Sequence, residues 1–163
     1  MAQTNEPLLS VKGLKQYFPV SKKFTVRAVD NISFDIYPGE TYGLVGESGS
    51  GKSTTGRSII RLYDPTEGTI LFNGEDISKK LTAKQEKMLR SDMQMVFQDP
   101  MASLNPHKKI LDTIAMGLDA HHPHMDQKER VERVSKMMEM VGLNPAYMNR
   151  NPNQFSGGQR QRI

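Results

Sequence analysis

Apolar and polar positions alternate through NISFDIY, where Ile32, Phe34 and Ile36 are separated by Ser33 and Asp35, a period of two that predicts a half-buried strand. Two shorter runs upstream, LLSV and TVRAV, read the same way, so residues 8–42 are expected to hold a set of short strands, closed by a turn at Pro38-Gly39. TYGLVG, residues 41–46, is apolar without alternation and predicts a strand buried on both faces. A glycine-rich loop and a helix over 52–63 follow, with Asp64-Pro65 as the stop. TILF then reaches Asn73-Gly74, a pair that tolerates the positive φ of a tight turn. A charged helix over 82–90 and a further strand, MQMVF, complete this half of the chain.

After Asp99-Pro100 the pattern changes, and Pro106, a His-rich patch and Met-rich helical segments replace the strands. A subdomain boundary belongs there. The plainest helix runs over 127–141, with Asp126 as N-cap, Val131, Val134, Met138 and Val141 on one stripe, and Gly142 closing it. Met137, Met138 and Met140 suit an adaptable binding face or, more ordinarily, a core filling.

A chain of 163 residues with 36% apolar and 25% charged residues has the balance of one folded domain. The formal charge of +4 favours phosphate-bearing partners without nominating nucleic acid. With no cysteine there is no disulfide, thiolate metal site or cysteine nucleophile, which suits a cytosolic address. The opening MAQTNEPLLSV lacks the pattern of a signal peptide, and no run is long enough to span a bilayer. Membrane association is expected only through a partner.

The strongest local signal is GESGSGKS, comprising Gly46, Glu47, Ser48, Gly49, Ser50, Gly51, Lys52 and Ser53, between an expected strand and an expected helix. Glycines let such a loop curl until successive N–H groups face the β- and γ-phosphates of a nucleotide, and the following helix adds the positive end of its dipole. Lys52 supplies a mobile charge to the same phosphates, Ser53 a hydroxyl for Mg²⁺, and Thr54 reaches the α-phosphate.

A hydrolase of this kind also needs a residue that senses the γ-phosphate. Gln98 is a candidate, since its amide can accept from a water and coordinate a cation; a glutamine after a strand is also an ordinary loop residue. Asp99 is rejected as a Mg²⁺ carboxylate because polar Gln98 interrupts the apolar run and Pro100 follows. Near the end, Ser156, Gly157, Gly158 and Gln159 form either a second anion-binding nest at a helix start or a simple capping turn, with Arg160 and Arg162 behind. His121, His122 and His124 lack the spacing of metal ligands, and Lys79-Lys80 and Lys108-Lys109 read as solvated surface, so nucleic acid is not expected as a partner.

GESGSGKS, FQDP and FSGGQRQRI, in this order, resemble the nucleotide-binding subunit of the ATP-binding cassette (ABC) family over essentially the whole chain. FQDPMASLNP and GETYGLVGESGSGKST look like the ATPase subunits of bacterial dipeptide and oligopeptide importers. The resemblance implies an α/β fold: a P-loop NTPase core of ABC type with an amino-terminal antiparallel β subdomain and a helical subdomain, incomplete at the C-terminus. The implied divisions are 1–100 for the β subdomain and core, 101–155 for the helical subdomain and 156–163 for the signature.

It implies ATP and Mg²⁺ as cofactors, with Lys52 and Gln98 as catalytic groups, Ser53 and Gln98 on Mg²⁺, and residues 46–54 on the phosphates. Phe18, with Tyr17 as the fallback, would stack on adenine. Residues 156–159 would clamp the ATP of a second ABC ATPase subunit, paired head to tail. Further implied partners are integral membrane permease subunits and, indirectly, an extracytoplasmic peptide-binding protein, which places the subunit on the cytoplasmic face of the cell membrane. The family's Mg²⁺-binding aspartate, catalytic glutamate and switch histidine lie beyond the signature, so a chain ending at Ile163 is expected to be the amino-terminal part of a longer ATPase. Cassette ATPases that act on DNA or the ribosome are the competing reading; the long insertions usual in them are not found here.

Overall fold

The computed structural model describes residues 6–97, 99 and 103–163. Two compact units divide the chain, one ending at Met95 and the other beginning at Val96.

The first unit is built on a four-stranded antiparallel sheet in the order β2-β1-β3-β4. The expected short strands merge into one long hairpin, β1 Leu9–Ser21 and β2 Phe24–Ile36. Merging is possible because the ladder tolerates irregularities, as at Val11/Leu14, where the amide of Gly13 donates to Ser33 Oγ at 2.8 Å. β3 Glu67–Phe72 pairs with β1, and Asn73 and Gly74, at φ 50° and 78°, turn the chain into β4 Glu75–Asp76. Leu9, Val11, Leu14, Val29, Ile70, Phe72, Ile77 and Leu89 form the core beneath this sheet.

Helix α1 spans Lys52–Ile59, shorter than the expected 52–63. It ends because Arg61 turns left-handed at φ 60°, and the amides of Leu62 and Tyr63 return to the Arg57 carbonyl. Arg61 then becomes a brace: its buried guanidinium donates to the carbonyls of Ile77 and Lys79 and to Asp64 Oδ1. Helix α2, Ala83–Asp92, opens on a reciprocal capping box between Thr82 and Gln85.

Neither the expected buried strand at residues 41–46 nor the further strand expected at 93–97 is a strand. No ladder partner for either is present among the described residues, and Val45 and Val96 stand 93% and 96% exposed. An apolar run becomes a strand only when neighbouring backbones take its N–H and C=O groups.

In the second unit, α3 Ile110–His121 packs on α4 Gln127–Met140 around Ile110, Ala115, Val134, Met138, Leu143 and Phe155. Asp126 caps α4 by accepting from the Glu129 amide at 2.8 Å, and Gly142, at φ 68°, follows its end, as the sequence pattern requires. Val134 and Met138 are buried, whereas Val141 is exposed. Arg130 on α4 reaches Asp119 and Asp112 on α3 at 2.8 and 3.2 Å, fixing the pairing of the two helices. Short 3-10 turns at Pro145–Tyr147 and Pro152–Gln154 lead to a one-turn helix, α5, Gly157–Arg160.

Candidate functional site

The glycine-rich loop, residues 46–51, leaves the apolar segment 41–45 and enters α1 without a side-chain cap. Gly49 and Gly51 take φ values of 83° and 90°, where a side chain would be strained. A Cβ at Gly51 would collide with the carbonyl of Ala28, and one at Gly46 would lie 2.6 Å from Ser50 Oγ. The loop therefore lies against β2 at Gly51 with no room for a side chain there. Below it, Ser58 Oγ on α1 donates to Gln16 Oε1 at 3.2 Å, both residues being buried, so α1 is anchored to β1 by a polar pair.

Lys52 folds back over the loop that precedes it. Its ammonium donates to the carbonyls of Gly46 and Glu47 at 2.8 and 2.6 Å, leaving the cation above the exposed turn at residues 47–50. There is no acid in the first turn of α1 to compete with an anion. A cleft of about 410 Å³ lies here, lined by residues 49–54 on one side and 26–28 of β2 on the other. Lys52, Ser53 and Thr54 thus meet in one concavity with Gly49, Ser50 and Gly51. This arrangement has the form expected of an anion cradle of the phosphate-loop type.

Phe18 is not in that cleft's lining; its ring meets Tyr63 edge to face at 5.2 Å. Tyr17 donates to Asp30 Oδ1 at 2.5 Å and carries the Arg27 guanidinium over its ring at 5.5 Å. The hydrogen bond to Asp30 holds the Tyr17 phenol above its ordinary pKa, aided by desolvation and the Asp30 charge. Val26, Arg27 and Ala28 on β2 are the lining residues that sequence reasoning missed. The signal was faint: one basic residue inside TVRAV, whose placement depends on a strand register that only the folded hairpin reveals.

Gln98 lies outside the described residues. In the second unit, Ser156 caps α5, accepting from the Gln159 amide at 3.3 Å while Gln159 Oε1 accepts from the Ser156 amide at 2.9 Å. The capping-turn geometry is thus realised. A Cβ at Gly157 or Gly158 would meet nothing within 4 Å. Arg162 donates to the carbonyls of Val141 and Gly142, both at 3.1 Å, and so satisfies the end of α4. No group of three or more His, Cys, Asp or Glu side chains suited to a metal occurs among the described residues.

The glycine-rich loop with Lys52 and Ser53 at the start of α1 matches the sequence pattern of the P-loop class of nucleotide-binding proteins. Residues 29–163 match the family described as ABC transporter, and the chain belongs to that family. It is 58% identical over 158 residues to the oligopeptide transport ATP-binding protein OppF of Bacillus subtilis, covering 97% of this chain and 52% of that protein. It is 48% identical to the dipeptide transport ATP-binding protein DppF of Lactococcus lactis subsp. cremoris, covering 96% and 50%. The chain spans about half the length of these curated relatives.

Among solved structures, the dimeric post-hydrolysis state of the ATP-binding cassette MJ0796, bound to ADP and Pi, superposes with a TM-score of 0.82 at 29% identity. That match covers 94% of this chain and 66% of the other. Clostridium perfringens cbiO1, part of the transporter complex cbiONQ, gives 0.72 at 25% identity, covering 97% and 59%. The fold is that of an ABC ATPase, with the antiparallel sheet and helices that the resemblance implied.

Proposed function

We propose that the chain provides the ATP-binding part of a subunit that powers peptide import by hydrolysing ATP. The observation that carries this reading is the Lys52 ammonium poised over its own loop carbonyls, beside the exposed start of α1 and an open cleft. The names of the relatives, oligopeptide and dipeptide transport ATP-binding proteins, supply the cargo class. Residues 46–54 hold the phosphates, with the Lys52 cation released from Gly46 and Glu47 to a β- or γ-phosphate oxygen. Exchange of neutral carbonyl partners for an anionic one favours the bound state.

Mg²⁺ fits the donor set: Ser53 offers one hydroxyl oxygen, Gln98 the amide oxygen proposed above, and phosphate oxygens and water complete an oxygen shell. When bound, the ion would neutralise charge on the β- and γ-phosphates. Residues 156–159 face the ATP of a second ABC ATPase subunit in this reading. Their glycines, at which a Cβ would meet nothing within 4 Å among the described residues, leave room for a phosphate to approach the backbone. Phe18 or Tyr17 takes the adenine.

In this reading the proposed helical subdomain, 101–155, carries motion to integral membrane permease subunits at the cytoplasmic face, with a peptide-binding protein acting on the far side. No helix among the described residues is long and apolar enough to cross a membrane, which is compatible with attachment through a partner. By itself the 163-residue chain is expected to bind nucleotide weakly and to hydrolyse little.

The test is co-purification of the full-length subunit with integral membrane proteins, together with ATP-dependent peptide uptake that Lys52→Ala abolishes. Recovery with nucleic acid or ribosomes, and uptake unaffected by Lys52→Ala, would overturn the transport reading.

A further inference from the structure

The phosphate-binding cleft has a wall that the phosphate-loop motif does not contain. Residues 26–28 of β2 face residues 49–54 across it, and the approach of Gly51 to the Ala28 carbonyl fixes that wall in place. Of the three wall residues only Arg27 carries a charge or a hydrogen-bonding side chain. From that position we infer that Arg27 is a nucleotide-binding residue, laying its guanidinium against the ribose and base of the bound nucleotide. The inference rests on the phosphate-loop reading.

Three observations carry it. The first is direction: loop amides and Lys52 take the terminal phosphates and Thr54 the α-phosphate, so the nucleoside continues beyond Thr54 and requires a surface there. The β2 wall is the surface the cleft provides. The second is pre-organisation. Cross-strand register places Arg27 opposite Tyr17, whose ring lies 5.5 Å beneath the guanidinium carbon. Asp30 accepts the Tyr17 hydroxyl at 2.5 Å and stands 3.9 Å from the Arg27 guanidinium, so one carboxylate steadies both members of the stack. A held guanidinium loses less freedom on binding than a free one.

The third is availability. The Arg27 side chain is 69% exposed despite these contacts, so its far face and several N–H groups are open to solvent. A planar cation of this kind stacks on a purine or donates to ribose hydroxyls. Phe18, which meets Tyr63 edge to face at 5.2 Å, remains the residue proposed for the adenine, and Arg27 adds to it.

Binding of ATP and of inorganic tripolyphosphate to the purified full-length subunit, measured by calorimetry, separates the nucleoside from the phosphates. Arg27→Ala is expected to weaken ATP about fivefold to tenfold and to leave tripolyphosphate unchanged, while Arg27→Lys, which keeps the charge but loses the plane, falls between. Lys52→Ala is expected to weaken both ligands. An Arg27→Ala protein that binds ATP within about twofold of wild type, or that weakens tripolyphosphate as much as ATP, would overturn the proposal. A wild-type protein that binds neither ligand would overturn the phosphate-loop reading and this inference with it. Thermal unfolding of Arg27→Ala near the wild-type temperature rules out hairpin damage as the cause of weaker ATP binding, and a large drop would attribute the loss to the fold and sink the proposal.

Discussion

Gly51 lies so near the carbonyl of Ala28 that a Cβ at position 51 would fall 2.2 Å from its oxygen, so the phosphate loop meets strand β2 where no side chain fits. The same residue has φ 90° and caps the start of α1. Conformation and space both demand glycine there. Gly51→Ala is expected to destabilise the first unit by about 1–3 kcal/mol and to weaken ATP binding, as the loop shifts off its seat. Urea unfolding and an ATP titration on one preparation check both. Gly74→Ala, at φ 78° with nothing within 4 Å, carries the strain without the collision and is expected to cost less and to spare ATP binding.

The methionines of α4 divide by burial rather than by type. Met138 is fully buried among Val134, Leu143 and Phe155, while Met140 is 85% exposed. Met138→Ala is expected to cost about 2–5 kcal/mol through lost contacts and a residual cavity. Met140→Ala should stay within about 0.5 kcal/mol. Denaturant unfolding of both variants checks the contrast, and equal costs would contradict the packing described.

Arg130 joins the two long helices of the second unit through Asp119 and Asp112. The hydrogen bond from Arg130, aided by its charge, holds the Asp119 carboxyl below its ordinary pKa of 3.8. A depressed carboxylate pKa contributes stability that is fully present above the unfolded value and disappears as pH falls through the folded one. Unfolding followed by circular dichroism should therefore show wild type losing stability below about pH 3.8 more steeply than Asp119→Asn. Above pH 5 the variant should be less stable than wild type by a small, pH-independent amount.

How far the sequence foretold this structure depended on whether the signal was local. Asp126 and Gly142 bracket α4 because a cap and a left-handed stop act within a few residues, and Asn73-Gly74 marks its turn for the same reason. Lys52 and the loop before it stand out in the sequence because the motif is contiguous. TYGLVG and MQMVF misled, since an apolar run records a need for ladder partners and not their presence. The Arg61 brace joins residues 16 and 18 positions away, and the Tyr17–Arg27 stack depends on hairpin register with an irregularity beside it. Neither leaves a periodic trace.

Lys52 tests the account most directly, because its ammonium bonds to the Gly46 and Glu47 carbonyls of its own loop and, among the described residues, braces no other element. ATP binding by calorimetry is to be compared between wild type and Lys52→Ala at matched folded fractions. The account predicts a loss of at least about tenfold, or 1.4 kcal/mol, with the unfolding temperature nearly unchanged. ATP bound equally by the two proteins would contradict it.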